Sequence, residues 1–170
     1  MLYKLCCAWR NKSIVWYEAR VLCLGLDNAG KTSLIMRAGE AETTSGTRSV
    51  TPTTGFHVRT LTRLPHWKLH VWDIGGSSTL RPYWQRYITH DTAALIWVLD
   101  GTDAARFEEA RRALLSMLHK VQDIPLLLFV NKEDRSSCAS VYDVSSLLNL
   151  HGLCGSRPYH VQLCSVKRRE

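Results

Sequence analysis

A phosphate-binding loop is the sequence feature that most constrains how this chain can fold. Residues 25–32 read GLDNAGKT and fit the pattern G-x-x-x-x-G-K-[ST] of a P-loop. The loop follows an apolar segment at 20–24 that suits a buried strand, and it precedes helix-forming residues at 33–37. At such a turn the free backbone N–H groups and the positive end of the helix dipole surround a phosphate. We therefore expect a nucleotide to bind here.

Four residues of this loop have roles that follow from their chemistry. Lys31 would reach the terminal phosphates, and the Thr32 hydroxyl would ligate Mg²⁺. Gly25 and Gly30 would permit close approach and unusual backbone angles. Taken alone, the pattern also fits a glycine-rich turn after any strand, so its meaning depends on the rest of the chain.

Composition and charge indicate one ordinary globular domain. The chain has 170 residues, of which 45% are hydrophobic and 22% charged, and its net charge is +7. No nucleic-acid-reading module accompanies the basic residues, so we expect no nucleic-acid partner. The six cysteines lack zinc spacing, and the apolar run near the start is short for a signal peptide or a membrane span. These features predict a cytoplasmic protein, with association at a membrane surface left open.

Alternating strand and helix patterns predict the fold class. Continuous apolar strands are expected at 93–99 and 124–130, with a helix between them that Asp103 would cap. Residues 56–64 and 67–72 alternate and predict a hairpin. We expect a doubly wound α/β fold of the P-loop NTPase type, with a mostly parallel six-stranded sheet and helices on both faces.

The chain divides into three segments. Residues 1–16 carry apolar residues at helical spacing among basic ones, which predicts a basic amphipathic arm, or alternatively an arm packed on the domain. Residues 17–166 would form the α/β domain, and 167–170 a short basic tail end.

Polar motifs follow the predicted strands at the edge where such sheets bind ligands. Asp73 ends the second strand of the hairpin and is followed by Gly75 and Gly76. A carboxylate in that place can hold Mg²⁺ directly or through water, facing the P-loop. Residues 131–134, which read NKED, follow a later strand.

This order of motifs resembles the small GTPases and, within them, the ADP-ribosylation-factor-like (Arf-like) family. The resemblance covers residues 17–166, which would be the G domain, and rests on 25–32, 51–56, 72–76 and 131–134. It implies a switch that binds GTP or GDP with Mg²⁺, hydrolyses GTP, and recruits effectors in its GTP form. A role in membrane traffic or organelle-associated signalling is also implied.

The resemblance assigns roles to matching positions. Thr53 would ligate Mg²⁺ and sense the γ-phosphate, to which Gly76 would offer its N–H. Asn131 and Asp134 would read guanine, and Lys132 would lie along the base. The nucleotide-binding set implied in this way is Gly25, Leu26, Asp27, Asn28, Ala29, Gly30, Lys31, Thr32, Ser33, Thr53, Asp73, Gly75, Gly76, Asn131, Lys132, Asp134, Cys164 and Ser165. The catalytic set is Lys31, Thr53, Gly76 and Ser77, and the metal set is Thr32, Thr53 and, through water, Asp73.

The resemblance also implies partners. Phe56, Trp72 and Tyr87 match the aromatic triad with which this family engages effectors, core packing being the alternative. An exchange factor and a GTPase-activating protein are expected as regulators. Cys6 and Cys7 resemble an acylated N-terminal pair, although unmodified thiols are the alternative.

Three departures from the family pattern change these expectations. Leu2 replaces a glycine, which excludes N-myristoylation. Ser77 stands where the family usually has a water-orienting glutamine, so we expect slow intrinsic hydrolysis. The chain stops shortly after an expected last strand at 159–166, without the family's C-terminal helix. We therefore expect exposed apolar surface and a marginally stable chain that bound nucleotide stabilises.

The same residues also fit other function classes. The P-loop would also serve a small kinase, although the residues at 131–134 would then be unexplained. A scaffold that binds GTP without hydrolysing it, or a truncated inactive isoform, would share most of these motifs.

Overall fold

The structure is a computed structural model that describes residues 16–39, 51–121 and 123–167. Of the predicted arm, residues 1–15 lie outside the described residues, and so do Cys6 and Cys7. The same holds for residues 40–50, residue 122 and residues 168–170.

A six-stranded sheet forms the centre of the domain. Its strands are β1 (Tyr17–Leu24), β2 (Phe56–Leu61), β3 (Trp67–Ile74), β4 (Thr92–Asp100), β5 (Leu126–Asn131) and β6 (Tyr159–Leu163). They lie in the order β2-β3-β1-β4-β5-β6. The β2–β3 hairpin is antiparallel and every other neighbouring pair is parallel. This confirms the predicted doubly wound sheet and its hairpin.

Helices cover both faces of the sheet, as expected. They are α1 (Lys31–Gly39), α2 (Phe107–Leu118), α3 (Val141–Leu147) and α4 (Leu150–Cys154), with 3-10 helices at Arg81–Tyr87 and Ala104–Arg106. Within the described ranges, none of these helices has the length and apolarity needed to cross a bilayer.

Alternation along the strands divides the core into two clusters. In β1, Leu22 and Leu24 point into the larger cluster, which α2, α3 and α4 help to form, while Val21 and Cys23 belong to the smaller one. Among the described helices, α1 is the one that contributes side chains to the smaller cluster. Successive residues of a strand face opposite sides, so a strand buried on both sides must be apolar throughout.

Some boundaries differ from the sequence expectation for identifiable reasons. Strand β2 ends at Leu61, because a turn closed by the bond from Trp67 N to Leu64 O (3.1 Å) follows. Strand β5 begins after Pro125, which lacks the N–H that a ladder needs. Strand β6 ends at Leu163, because the Ser165 hydroxyl accepts from Lys167 N (3.1 Å) and turns the chain.

The predicted cap at Asp103 is wrong. A 3-10 helix separates Asp103 from the start of α2, and the Asp103 side chain makes no capping hydrogen bond. The carboxylate instead accepts from Arg106 Nε at 2.6 Å, since a charged guanidinium outcompetes a neutral backbone N–H.

Candidate functional site

The P-loop lies between β1 and α1, and neighbouring residues leave no space for a side chain at Gly25 or Gly30. Gly25 has φ +145°, and a Cβ there would come within 2.2 Å of the Val98 carbonyl oxygen. Gly30 has φ +92°, and its Cβ would meet Asn131 Nδ2 at 2.3 Å. Only glycine fits both conditions. The loop therefore leads directly into the N-terminus of α1, where backbone N–H groups are available to an anion.

Lys31 lies in the first turn of α1 and is buried under this loop. Its Nζ donates to the carbonyl oxygens of Gly25 and Leu26, both at 2.8 Å. Burial lowers the pKa of the Lys31 ammonium below its ordinary value. A phosphate beside this ammonium would supply the compensating negative charge.

Three oxygen-bearing side chains converge beside the loop. Thr32 Oγ1 donates to Asp73 Oδ2 at 2.5 Å and lies 3.0 Å from Thr53 Oγ1. Asp73 is fully buried, and its other oxygen, Oδ1, has no hydrogen-bond partner. A buried carboxylate oxygen without a partner is costly, and hydroxyl and carboxylate oxygens are hard donors that suit Mg²⁺. The set predicted from the sequence therefore lies together and fits a magnesium ion.

The two glycines after β3 bring the next segment onto the P-loop. Gly76 O accepts from Asp27 N at 3.1 Å, and a Cβ on Gly76 would come within 2.3 Å of Gly25 O. Gly75 N donates to Gly55 O at 2.9 Å. Gly75 O in turn accepts from the buried indole N–H of Trp84 at 2.9 Å. Residues 75–76 are therefore held on one side by the buried Trp84 and on the other side by the P-loop.

Arg81 is a residue of this site that sequence reasoning missed. Its guanidinium donates to Gly76 O (2.8 Å), Glu109 Oε1 (2.5 Å) and Asp27 Oδ1 (3.1 Å). Arg106 donates to the same Asp27 carboxylate at 3.2 Å. Partial burial opposes ionisation of Asp27, but the two arginines outweigh it and lower its pKa. Asp27, Arg81 and Arg106 come from three separate segments of the chain, and no local pattern links them.

An open cleft lies beside the P-loop. It is lined by residues of the P-loop, by 51–53 and by 76–78, and Arg81 and Arg106 border it. Ser77 lies in this lining, and its hydroxyl is 2.9 Å from Thr79 Oγ1. The cleft is thus polar and faces basic side chains, as a phosphate chain requires.

The predicted base-reading residues gather at the carboxyl ends of β5 and β6. Asn131 is buried, and its Nδ2 donates to Ala29 O at 2.8 Å, which ties this motif to the P-loop. Lys132 has φ +71° and pairs with the buried carboxylate of Asp100. Burial raises the pKa of Asp100, but hydrogen bonds from Lys132 and Thr102 outweigh it, so the pKa is lowered.

Ser165 contacts Asp134 through its side chain, a contact that the sequence did not predict. Ser165 Oγ donates to Asp134 Oδ1 at 2.6 Å, and this hydrogen bond lowers the pKa of the Asp134 carboxyl. Cys164 Sγ lies 3.7 Å from Asn131 Oδ1, and burial raises the pKa of its thiol to about 11. The motif at 131–134 and the residues after β6 therefore form one unit.

Ser165→Ala is expected to weaken GTP binding by roughly three- to tenfold, because a hydrogen bond that holds a charged group contributes about 1 kcal/mol or more. Titration calorimetry with GTP measures the effect. Ser165→Thr keeps the hydroxyl and serves as the control. Equal affinity of Ser165→Ala and the parent would show that the contact does not position Asp134.

The three predicted effector aromatics form one cluster of rings. Phe56 and Trp72 stack with centroids 5.2 Å apart, and Tyr87 lies 5.3 Å from Phe56. Phe56 is exposed, whereas Trp72 and Tyr87 pack partly against the larger core cluster. Arg20 lies over the Trp72 ring at 3.7 Å and donates to Tyr87 O at 2.9 Å. The cluster therefore combines the two predicted uses of these aromatics. The Phe56 ring is exposed for a partner, while Trp72 and Tyr87 pack partly against the core.

Comparison with known proteins identifies the relatives of this chain. The sequence pattern of the ADP-ribosylation factor family matches residues 8–170. The chain is 40% identical over 153 residues to ADP-ribosylation factor-like protein 3 of Chlamydomonas reinhardtii, covering 89% of this chain and 82% of that protein. It is 46% identical over 137 residues to ADP-ribosylation factor-like protein 1 of Saccharomyces cerevisiae, covering 78% of this chain and 70% of that protein.

A solved structure shows the same architecture. The Arl6 BBS3 small GTPase from Trypanosoma brucei, with bound nucleotide analogue GppNp, superimposes with a TM-score of 0.78 and 26% sequence identity. The match covers 88% of each chain.

Proposed function

Because this chain belongs to the ADP-ribosylation factor family, whose members are small GTPases, we propose that it is a GTP/GDP switch that recruits effectors in its GTP form and hydrolyses GTP slowly. Binding of GTP and GDP is what membership in this family implies. The cleft geometry supports the finer proposals about Mg²⁺, hydrolysis and partners.

The convergence of Thr32, Thr53 and Asp73 is the observation that carries this proposal. These side chains come from α1, the segment before β2, and β3, yet the Thr32 hydroxyl lies within hydrogen-bond distance of both Thr53 and Asp73. Mg²⁺ held there would neutralise charge on the β- and γ-phosphates. Thr53 would ligate the same ion and in this way sense the γ-phosphate, and loss of that phosphate would weaken the hold on its segment.

The remaining residues of the cleft have complementary roles in the proposal. Lys31 would bind the terminal phosphates, and Gly76 would donate its N–H to the γ-phosphate while Arg81 holds its carbonyl. Asp134 would accept from the two donors on the Watson–Crick edge of guanine, and Asn131 would tie that unit to the P-loop.

We propose effectors, an exchange factor and a GTPase-activating protein as partners. The ring cluster of Phe56, Trp72 and Tyr87 would engage effectors, because it adjoins both segments that respond to the γ-phosphate. Residues 1–15, with Cys6 and Cys7 as acylation candidates, would bring the protein from the cytoplasm to a membrane surface in traffic or organelle-associated signalling.

The nucleotide content of the purified chain tests the proposal. We expect GDP or GTP to co-purify, and excess GTP with Mg²⁺ to raise the melting temperature while ATP does not. A chain without bound nucleotide, indifferent to GTP, would contradict the proposal. Preference for ATP would favour a kinase instead.

A second candidate is a scaffold that binds GTP without hydrolysing it. The position of Ser77 favours it, because its hydroxyl lies beside Thr79 and extends one bond beyond Cβ, which is short for orienting a water. Protein isolated entirely with GTP would support this second function.

A further inference from the structure

Four large apolar side chains are exposed together at one end of the sheet. They are Trp16 (43% exposed), Tyr17 (57%), Leu64 (53%) and Trp67 (41%), and we call them the aromatic end surface. The rings of Tyr17 and Trp67 contact each other at a tilt of 32° with centroids 5.2 Å apart, and Tyr17 N donates to His66 O at 2.7 Å. The backbone therefore holds these rings as one group, although they do not belong to either core cluster.

This surface lies at the end of the sheet away from the nucleotide cleft. Strands β1 and β3 are parallel and both begin here, with Tyr17 opposite Trp67. The P-loop follows the other end of β1, eight residues later. At ~3.3 Å per residue, that distance is about 25 Å. A partner bound at the aromatic end surface would leave the cleft open.

Basic residues adjoin the aromatic end surface along the chain. Arg63 is exposed next to Leu64, and Lys68 follows Trp67, with its Nζ 5.7 Å from the Trp16 ring. Glu18 follows Tyr17 and pairs with Lys68 at 3.1 Å. Residues 1–15, which attach directly at this end, add Lys4, Arg10 and Lys12 without an acid. The local charge therefore matches an anionic partner.

Two properties favour a lipid surface as that partner. Tryptophan and tyrosine combine an apolar ring with a polar group, which suits the headgroup layer of a bilayer. Basic side chains next to them are attracted by anionic headgroups. The chain offers a contrast on α3, where exposed Tyr142 and Leu147 have Asp143 between them and no basic neighbour on that helix.

We propose that the aromatic end surface is a second membrane contact, which places its rings in the headgroup layer of an anionic bilayer beside residues 1–15. The proposal deepens the membrane association put forward above and rests on it. A single weak anchor binds reversibly, whereas two linked contacts bind stably. The contact would also orient the domain, with the cleft pointing away from the lipid.

Vesicle co-sedimentation of the full chain tests this contact. The probes are vesicles of phosphatidylcholine containing phosphatidylserine and vesicles of phosphatidylcholine alone. The double variant Leu64→Ser/Trp67→Ser is expected to bind the anionic vesicles about tenfold more weakly than the parent. Tyr142→Ser/Leu147→Ser removes comparable exposed apolar groups (80% and 57% exposed) and is expected to bind like the parent.

GTP binding of each protein is measured in parallel. Normal GTP binding with unchanged vesicle binding of the Leu64/Trp67 variant would overturn the membrane contact while leaving the proposed switch intact. A parent that does not bind GTP would overturn the switch instead.

Two further outcomes would overturn the membrane contact. One is equal weakening of vesicle binding by both double variants. The other is a parent that dimerises without lipid while the Leu64/Trp67 variant stays monomeric. If the Leu64/Trp67 variant fails to bind GTP, Leu64→Asp in the exposed turn replaces it. Weaker binding to the anionic vesicles is again expected, and unchanged vesicle binding would again overturn the contact.

Discussion

Asp134→Asn is expected to shift base preference from guanine toward xanthine. Its carboxylate is exposed, held by Ser165 at 2.6 Å, and would accept from both N1–H and the 2-amino group of guanine. An amide supplies one acceptor and places a donor against a guanine donor. Leaving charged hydrogen bonds unmade costs about 1–3 kcal/mol or more, so GTP affinity should fall by about five- to 150-fold or more. Xanthosine triphosphate presents an acceptor at the 2-position and should bind relatively better.

Competition binding with GTP and xanthosine triphosphate measures this exchange. Asp123→Asn is a matched control, because it makes the same chemical change at an exposed turn before β5, away from the carboxyl ends of the strands. Its preference should equal that of the parent. If Asp134→Asn bound GTP as tightly as the parent, the guanine-reading role would be wrong.

Ser77→Gln is expected to accelerate single-turnover hydrolysis of bound GTP by about 10²–10³-fold, the typical effect of one positioned orienting group. Ser77 lines the cleft beside Gly76, and its short side chain bonds within its own loop. A glutamine amide is long enough to accept from a water in line with the γ-phosphate and to donate toward the phosphate. GTP affinity should remain nearly unchanged.

Ser146→Gln serves as the control for this assay. Ser146 is exposed on α3 and does not line the cleft, so the same chemical change there should leave the rate at the parent's value. Equal rates for Ser77→Gln and the parent would mean that Ser77 does not limit hydrolysis and that another group positions the water.

The parts of the site that sequence reasoning located are those set by local backbone geometry. The P-loop glycines, Asp73 at the end of β3 and Asn131 at the end of β5 follow from strand and turn patterns, and parallel strands bring their carboxyl ends to one edge. The same patterns supported the resemblance to the family that the comparisons confirm.

The contacts that sequence reasoning missed depend on tertiary packing. Arg81 and Glu109 are 28 residues apart, and their pairing requires the 3-10 helix after β3 to pack beside α2. The predicted cap at Asp103 failed because Arg106, three residues on, competed for the same carboxylate. Side-chain competition of this kind leaves no periodic signal in a sequence.

The hydrogen bond from Trp84 to Gly75 gives the molecule an intrinsic optical reporter. The Trp84 indole is buried, contacts Trp97 edge to face at 5.7 Å, and donates to the carbonyl that precedes Gly76. Any displacement of Gly75 must break this bond or move the ring, and either event changes the polarity around the indole. The emission of a core tryptophan therefore registers motion at the cleft without an added label.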